Sequence, residues 1–411
     1  MSFLSHVECS VCGHCHDPKQ LLTVCEKCGQ MLVARYRLDR VAAALTKEDL
    51  QRRPPGMFRF RELTPLDDAE QPVTLGEGGT SLLRLTRLGN HLGLPHLLAK
   101  DEGQNPTGTF KARGLGMAVT RARTLGAKGL MIPSAGNAGG AAAAYGARAG
   151  LPVAVVVPRD TPEAAVAEAL LAGAHVFTIE GSIATAGKVV SNVAPQLGWF
   201  DLSTLKEPYR LEGKKTMGLE LAEQLGWSAP DLLLYPTGGG TGLVGIWKAY
   251  QELAVLGWVK DRPPKFVAVQ AEGCAPVVKA WVEKSPVTTP WENPVTRAAG
   301  LRVPSPFAGR QMLQVLRETD GDALAVSEAE IVEAQKILAR LEGIWTAPEA
   351  AATLAALIRL RDQGGLDRRG RIVLLLTGAG IKNAPPPLPP PVDLTGPAAT
   401  LLERVRSALG L

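Results

Sequence analysis

Lys111 lies in a stretch whose residue types could do chemistry. It follows the turn-forming sequence NPTG at positions 105–108 and comes directly after Phe110. An amine that is partly desolvated beside an aromatic ring has a lowered pKa, and its neutral form can attack a carbonyl carbon. The same place also suits an ordinary solvated lysine at the start of a helix. The stretch by itself therefore leaves a catalytic amine and a surface charge as alternatives.

A glycine-rich connection, PTGGGTGLVG at 236–245, joins a predicted strand to a predicted helix. Backbone N–H groups in such a loop converge on an anion, and the N-terminus of the following helix adds the positive end of its dipole. The loop lacks the spacing G-x-x-x-x-G-K-[ST], which disfavours a nucleoside triphosphate. Residues 240–245, GTGLVG, have the spacing G-x-G-x-x-G, but the predicted strand that follows, KFVAVQ, carries no acidic residue to bind a ribose, which disfavours a dinucleotide. The loop therefore predicts a small phosphorylated cofactor, with a plain tight turn as the alternative.

Two more loops follow predicted strands. SAGNAGG at 134–140 offers backbone amides and the side-chain amide of Asn137, which suits a carboxylate and a hydroxyl group. Asn137 could equally be a helix cap. LLLTGAG at 374–380 places Thr377 at the end of a buried strand. Because ligands of open α/β sheets bind beyond the carboxyl ends of the strands, we expect these loops to form one site.

The segments around the loops predict alternating strands and helices. Val- and Ile-rich strands that alternate with Ala-rich helices indicate parallel sheets covered on both faces. The fold class is therefore α/β, with two doubly wound parallel-sheet domains. The predicted strands are LPHLLAK, GLMIPSA, VAVVVP, HVFTIE, DLLLYP, KFVAVQ and RIVLLLTG. The predicted helices are LGMAVTRARTLGA, AGGAAAAYGARAG, PEAAVAEALLAGA, TGLVGIWKAYQELA, EAEIVEAQKILARLEG and APEAAATLAALIRLRDQG.

Four cysteines near the N-terminus have the spacing of a structural metal site. They form two C-x-x-C pairs, and two such knuckles can give Zn(II) four thiolates in a closed tetrahedral site. The four are Cys9, Cys12, Cys25 and Cys28. Cys15, His14 and His16 are nearby substitutes for one ligand, and free cysteines are the alternative to a metal site. A closed site leaves no open coordination position, so we assign it no catalysis.

The predicted boundaries follow from these segments. A zinc-ribbon-like segment covers 1–40, a large domain combines 41–95 with 206–383, and a small domain covers 96–205. Residues 384–411 form a connector, which contains APPPLPPP, and a C-terminal helix expected to dock on the body.

Composition excludes several classes of function. The 411 residues are 45% hydrophobic and 21% charged, and a net charge of +5 without a long basic run disfavours nucleic-acid binding. The start, MSFLSHVEC, lacks a signal-peptide pattern, and the longest uncharged stretch is interrupted by Pro133 and several glycines, which disfavours a membrane span. We therefore expect a cytoplasmic enzyme, and the Ala- and Leu-rich body makes a homodimer plausible.

Six segments, in this order, resemble pyridoxal-phosphate enzymes of the tryptophan-synthase β-subunit fold type (fold type II), and within it the threonine synthase family. They are NPTGTFKARG at 105–114, SAGNAGG at 134–140, RLEGKKT at 210–216, the glycine loop at 238–242, EGIWTAPEAAA at 342–352 and LLTGAGIKN at 375–383. In that family Asp commonly follows the lysine and Asn commonly stands among the glycines, whereas this chain has Ala112 and PTGGGTG.

The resemblance implies pyridoxal 5'-phosphate as cofactor and a role for each loop. Lys111 would hold the cofactor covalently and then move protons, while Asn137 would bind the 3'-oxygen of the pyridine ring and Thr377 its nitrogen. The cofactor phosphate would be held by Gly238, Gly239, Gly240, Thr241 and Gly242. The substrate carboxylate site would be lined by Ser134, Gly136, Asn137 and Ala138. Arg210 would bind the substrate phosphate, with a surface salt bridge as its alternative role.

The reaction implied by the resemblance converts O-phosphohomoserine and water to threonine and phosphate. Phosphate leaves from Cγ and water adds at Cβ, so the expected partner is a small phosphorylated amino acid. The alternatives are an ammonia-lyase acting on threonine or serine and a β-replacement enzyme such as cysteate synthase. They share the lysine, asparagine and glycine loops, so the departures at Ala112 and in PTGGGTG keep them open.

Overall fold

The computed structural model describes residues 3–67, 69–392, 395 and 400–410. Its strands are β1 Leu4–Cys9, β2 Cys15–His16, β3 Leu32–Tyr36, β4 Leu82–Arg84, β5 Leu97–Asp101, β6 Leu130–Pro133, β7 Val153–Pro158, β8 His175–Ile179, β9 Phe200–Asp201, β10 Leu232–Pro236, β11 Lys265–Ala271, β12 Asp322–Val326 and β13 Ile372–Leu376.

The helices cover the segments between these strands. They are α1 Leu38–Ala44, α2 Lys47–Arg52, α3 Thr86–Leu92, α4 Lys111–Thr124, α5 Asn137–Ala149, α6 Glu163–Leu171, α7 Ile183–Gln196, α8 Tyr209–Gln224, α9 Thr241–Val255, α10 Pro276–Val282, α11 Gly309–Glu318, α12 Glu328–Glu342, α13 Pro348–Asp362 and α14 Leu401–Leu409. Short 3₁₀ turns occupy Met57–Leu63, Glu102–Gln104, Pro106–Gly108, Ala299–Leu301 and Gly380–Lys382.

A six-stranded sheet has the order β12-β11-β10-β13-β5-β4 and is parallel except for β4 at its edge. Both faces are buried, which explains why its central strands are apolar at every position rather than at every second one. Leu233 and Phe266 pack into the core formed with α8, α9 and α11, whereas their neighbours Leu234 and Val267 pack against α12 and α13. The two predicted helix layers are confirmed for this sheet.

A four-stranded sheet has the order β8-β7-β6-β9 and is parallel throughout. Ile132 and Val155 pack on one face with α4 and α5, and Met131 and Val156 pack on the other with α7. The predicted α/β class with two parallel sheets is therefore confirmed. The predicted domain limits stay a prediction, and the range 96–205 includes β5, which pairs in the six-stranded sheet.

The N-terminal segment forms a third sheet with the order β2-β1-β3, antiparallel throughout. It is attached to the body by Tyr36, whose hydroxyl donates to Glu212 at 2.7 Å. Glu212 belongs to a buried ion-pair cluster on α8 and α9 that also contains Lys215, Lys248 and Glu252. The ring of Tyr36 covers the ammonium groups of Lys215 and Lys248 at 4.0 and 4.8 Å from its centroid.

The predicted C-terminal helix begins at Leu401, and part of the predicted segment lies outside the described residues. No described residue of α14 is buried, and Leu402 and Leu409 are exposed. The structure therefore gives the helix but not the expected docking of its apolar face on the body.

Candidate active site

Lys111 is the first residue of α4 and is partly exposed. Its Nζ lies 4.4 Å from the centroid of the Phe110 ring and donates to no acceptor among the described residues. Burial and the positive charge of Arg210 lower the pKa of Lys111 to about 8, against the opposing effect of Glu349. About one tenth of this amine is therefore neutral at pH 7, against less than about one thousandth for an ordinary lysine, which favours the catalytic alternative.

The loop that carries Lys111 is fastened to the end of β13, where Thr377 lies. The N–H of Phe110 donates to the carbonyl of Thr377 at 2.9 Å, and the N–H of Ala379 donates to the carbonyl of Gly108 at 2.9 Å. The hydroxyl of Thr377 makes no hydrogen bond within the part of the chain that the structure describes. Lys111 and Thr377, distant in sequence, therefore lie on adjoining loops, with the hydroxyl available to a ligand.

The glycine loop before α9 is packed closely from behind. A Cβ at Gly238 would lie 2.2 Å from the carbonyl oxygen of Gly300, and one at Gly240 would lie 2.3 Å from the sulfur of Met312. Gly240 also has a φ of +80°, a left-handed conformation that favours glycine. The N–H groups of Gly238, Gly239 and Gly240 donate to no acceptor in the described residues. Free amides at a helix N-terminus are donors of the kind that a phosphate needs, so this loop fits the phosphate of pyridoxal phosphate.

The loop SAGNAGG lies at the start of α5, and its Ser134 hydroxyl is hydrogen-bonded within the same loop. The hydroxyl of Ser134 accepts hydrogen bonds from the N–H groups of Gly139 at 2.8 Å and Gly136 at 3.2 Å. Asn137 is the first helical residue after the N-cap Gly136, so the alternative of Asn137 as a helix cap is wrong. The N–H groups of Asn137 and Ala138 donate to no described acceptor, and they remain available for a carboxylate.

Arg210 lies in the first turn of α8 and is buried, with 2% of its surface exposed. Its Nη1 donates to the carbonyl of Leu202 at 2.7 Å, whereas its buried Nε has no hydrogen-bond partner in the described part of the chain. No carboxylate of the described residues forms a salt bridge with it. Glu207, the nearby acid, accepts instead from the backbone N–H groups of Tyr209 and Arg210. The alternative role of Arg210 as part of a surface salt bridge is therefore wrong. Its guanidinium has N–H groups that are available to bind an anion.

Two residues of the site were not singled out by their sequence. Lys214 donates to the carbonyl of Phe110, and its Nζ lies 3.5 Å from the centroid of that ring. Glu349 is buried, and one of its carboxylate oxygens accepts from the N–H of Gly300 at 2.7 Å, while the other has no hydrogen-bond partner among the residues that the structure describes. Both lie within segments that carry the family resemblance. A lysine or glutamate on a predicted helix does not by itself indicate a buried site residue, since charged residues on helices are ordinarily solvated.

The start of α4 is held by a buried network of opposite charges. Arg113, fully buried, pairs with Glu102 at 2.6 Å and with Glu220 at 2.7 Å. Glu220 also pairs with Lys100 of β5 at 2.9 Å. These contacts join α4, α8 and the six-stranded sheet two residues beyond Lys111, so the helix that presents Lys111 has a fixed position.

The four predicted cysteines lie together at the tips of the N-terminal sheet. Cys9 Sγ lies 3.4 Å from Cys28 Sγ, and Cys12 Sγ lies 3.7 Å from Cys25 Sγ and 3.5 Å from Cys28 Sγ. Tetrahedral thiolates at a Zn–S distance of about 2.3 Å are separated by about 3.8 Å, so the sulfur positions fit zinc. Cys15 groups instead with His6 and Glu8, and His14 and His16 group with Glu26. The structure therefore favours the four cysteines over a substituted ligand set.

Comparison with known proteins places the chain among enzymes that depend on pyridoxal phosphate. The family described as pyridoxal-phosphate dependent enzyme matches residues 73–378. Threonine synthase of Methanosarcina acetivorans is 38% identical over 379 residues, which cover 92% of this chain and 92% of that protein. Threonine synthase of Methanocaldococcus jannaschii is 36% identical over 376 residues, which cover 91% of this chain and 92% of that protein.

Solved structures give the same fold. The threonine deaminase of T.th. has a TM-score of 0.61 and 29% identity, covering 73% of this chain and 91% of that one. Maize serine racemase has a TM-score of 0.64, covering 80% of this chain and 92% of that one, and its 23% identity supports the fold alone. No helix among the described residues is long and apolar enough to span a bilayer.

Proposed function

The chain belongs to the threonine synthase family of pyridoxal-phosphate-dependent enzymes, and from that premise we propose that it converts O-phosphohomoserine and water to threonine and phosphate. The observation that carries the choice of substrate is Arg210. A buried guanidinium that forms no salt bridge among the described residues, close enough to lower the pKa of Lys111, supports an anion site separate from the glycine loop. A substrate with its own phosphate would need such a site, whereas threonine and serine have no second anionic group to place beside the guanidinium.

The residues fit the cofactor in three places. Lys111 would bind its aldehyde carbon, the amides of Gly238, Gly239 and Gly240 with Thr241 and Gly242 would hold its phosphate, and Asn137 and Thr377 would contact its ring. Once bound, pyridoxal phosphate draws electrons from the substrate Cα, which makes the protons at Cα and Cβ removable near neutral pH. Thr377 would offer the ring nitrogen a neutral hydroxyl, which leaves that nitrogen largely unprotonated and suits elimination and replacement.

Lys111 would move the protons of the reaction. Its free amine would take the proton from Cα and then assist loss of a proton from Cβ, so that the C–O bond at Cγ breaks and phosphate leaves with the bonding electrons. A proton would then be delivered to Cγ, water would add its oxygen at Cβ, and a proton would return to Cα. Arg210 would hold the phosphate while its ester bond breaks, and its positive charge would stabilise the departing anion.

The substrate carboxylate would lie at the N-terminus of α5. The free N–H groups of Asn137 and Ala138 would be its donors, together with the backbone of Gly136. The Ser134 hydroxyl, which bonds to Gly136 and Gly139, would act there by fixing the loop rather than by holding the substrate directly.

The experiment that tests the proposed reaction is a substrate panel with the pyridoxal-phosphate-loaded protein. Phosphate release from O-phosphohomoserine, with threonine identified by chromatography, is the expected result. The panel also contains threonine, serine and O-phosphoserine with sulfite. Ketoacid from threonine or serine without phosphate release from O-phosphohomoserine would reject the proposal in favour of an ammonia-lyase. Product from O-phosphoserine and sulfite alone would favour a cysteate synthase.

We also propose that Cys9, Cys12, Cys25 and Cys28 hold one structural zinc ion, which the separation of their sulfur atoms supports. Elemental analysis of protein purified without chelator measures the zinc content, and absence of zinc after growth with added metal would reject the proposed site.

A cytoplasmic location and a homodimer are further proposals. Fractionation of the cells and light scattering of the purified protein test them.

A further inference from the structure

Glu207 is a buried acid beside the proposed anion site at Arg210. It lies in the segment between β9 and α8, three residues before Arg210, and 1% of its surface is exposed. The same segment borders the glycine loop, since a Cβ at Gly239 would lie 2.9 Å from Cγ2 of Thr204. Glu207 therefore belongs to the segment that joins the two proposed anion sites.

The opposite charges of Glu207 and Arg210 do not pair directly. The guanidinium donates to the carbonyl of Leu202, whereas the carboxylate accepts from the backbone N–H groups of Tyr209 and Arg210. Each charge nevertheless acts on the other, because Arg210 opposes the raised pKa of Glu207 and Glu207 opposes the lowered pKa of Arg210. Glu207 is therefore a counter-charge of the guanidinium that does not block its N–H groups.

One oxygen of Glu207 is available to carry a proton. Oε2 accepts from the N–H of Tyr209 at 2.7 Å and from the N–H of Arg210 at 3.0 Å, so this oxygen serves both backbone donors. Oε1 has a longer contact, 3.3 Å, with the N–H of Arg210. A proton on Oε1 would therefore leave in place the hydrogen bonds that hold the start of α8.

An anion bound to Arg210 would place a second negative charge near Glu207. Two buried negative charges beside one guanidinium are costly unless one of them is neutralised. We propose that Glu207 takes up a proton from solvent when an anion binds at Arg210, so that the affinity of this site for anions depends on pH. The proton bonds to Oε1, and the bound anion replaces the carboxylate as the counter-charge of Arg210. This inference rests on the proposed binding of the substrate phosphate at Arg210.

The groups that face Glu207 come from β9 and α8. Burial, the largest cause, and the charge of Asp201 raise the pKa of Glu207 to about 7, while Arg210 and the N–H groups of Tyr209 and Arg210 lower it. These groups stay in place when residue 207 alone is changed. The remaining charged groups near this turn are Lys206, whose amine donates to Ser191 of α7, and Arg121 and Glu70 beside Tyr209.

The sign of the pH dependence follows from the charge of the anion. About half of the Glu207 carboxyl groups are protonated at pH 7 when no anion is bound. A bound anion favours the protonated form, so the pKa of Glu207 is higher in the bound state. The affinity for anions is therefore highest below about pH 7 and falls as the pH rises above it.

The test titrates the pyridoxal-phosphate-loaded protein with sulfate, whose charge stays constant from about pH 6 to about pH 9. Calorimetry gives the dissociation constant at each pH. Glu207→Gln is uncharged at every pH and keeps an oxygen acceptor for the two backbone donors of α8. Glu333→Gln, which removes an exposed carboxylate from α12, is the control.

The measured quantity is the ratio of the native dissociation constant to that of Glu207→Gln, because other titrating groups affect both proteins alike. We expect a ratio of about 1 near pH 6 and of about 10 to 100 near pH 9, the effect of one buried charge on another at about 6–10 Å. The control is expected to match the native protein at every pH. A ratio that does not change with pH would overturn the inference.

A second measurement needs no variant. Calorimetry of the native holoenzyme in two buffers with different ionisation enthalpies counts the protons taken up for each sulfate bound. Proton uptake is expected near pH 8, where the Glu207 carboxyl is mostly ionised before sulfate binds. Binding of sulfate without proton uptake at this pH would also overturn the inference.

Arg210→Gln separates this inference from the proposed function. Loss of sulfate binding in this variant is expected, because it removes the proposed anion ligand. Sulfate that binds Arg210→Gln as tightly as the native protein, or no binding to the native protein, would refute the phosphate site and the inference with it. Loss of binding in Arg210→Gln, combined with a ratio that is independent of pH, would refute only the inference.

Discussion

The network around Arg113 gives the most direct prediction about how the site is held. Its guanidinium donates to both oxygens of Glu102 at 2.6 and 2.8 Å and to both oxygens of Glu220 at 2.7 Å. It also donates to Thr216 at 3.0 Å and to Thr80 at 3.2 Å. Lys100 is the remaining cation, and it pairs with Glu220. Arg113→Gln would therefore leave two buried carboxylates facing a single ammonium group.

Breaking a buried ion pair by removing one partner costs about 3–5 kcal/mol, because the other charge stays buried without compensation. We expect Arg113→Gln to lower the free energy of unfolding by that amount. The measurement is urea unfolding of the holoenzyme, monitored by circular dichroism. Arg123→Gln, which removes an exposed arginine from the same helix, is the control, and we expect it to change the free energy of unfolding by no more than about 0.5 kcal/mol.

The double variant Arg113→Gln, Glu220→Gln removes one of the stranded carboxylates, so it should be less destabilised than the sum of its two single variants. A loss below about 1 kcal/mol for Arg113→Gln, or strict additivity of the two changes, would refute the reasoning that the network is a compensated buried cluster. Because the pKa values of Glu102 and Glu220 are lowered by their cationic partners, this stabilisation is present above about pH 4 and is lost as the pH falls towards the folded-state values.

Three further predictions concern the site and the metal segment. Arg210→Gln should raise KM for O-phosphohomoserine about 10- to 100-fold, since a hydrogen bond to a charged group contributes about 1.5–3 kcal/mol; an unchanged KM in steady-state phosphate assays would place the substrate phosphate elsewhere. With a pKa of about 8, Lys111 should be neutral above that pH, so the rate of cofactor capture by the apoenzyme should rise as the pH increases through about 8 and then level off; a rate independent of pH between about 6 and 9 would contradict this. Cys12→Ser should abolish stoichiometric zinc and lower the melting temperature, whereas Cys15→Ser should do neither, and retention of zinc by Cys12→Ser would point to a different ligand set.

The sequence alone determined the fold class and the loops that form the site. Strands such as β7 and β10 and helices such as α9 and α13 were predictable because both faces of a parallel sheet are buried, which leaves apolar runs that local patterns reveal. The loop glycines were equally visible, since a helix start preceded by several glycines is typical of an anion-binding turn. The family resemblance added the cofactor, which the spacing of the residues by itself left open.

Other elements were not apparent in the sequence. The segment that forms α8 carries three consecutive polar residues, Lys214 to Thr216, with Glu212 shortly before them, and nothing local indicates that all of them are buried. Their burial depends on partners supplied by distant elements, such as Tyr36 from the N-terminal sheet. Pairing across such separations cannot be deduced from periodicity.

Tertiary structure decided which charges act on one another. In the sequence, Lys214 and Lys215 are adjacent and chemically identical. In the fold, Lys215 pairs with two carboxylates, while Lys214 donates to the carbonyl of Phe110 and its pKa is lowered by burial and by the nearby charge of Lys111. The sequence determines which groups can ionise, but the distance and solvation that set their pKa values exist only once α4, α8 and α9 are packed together.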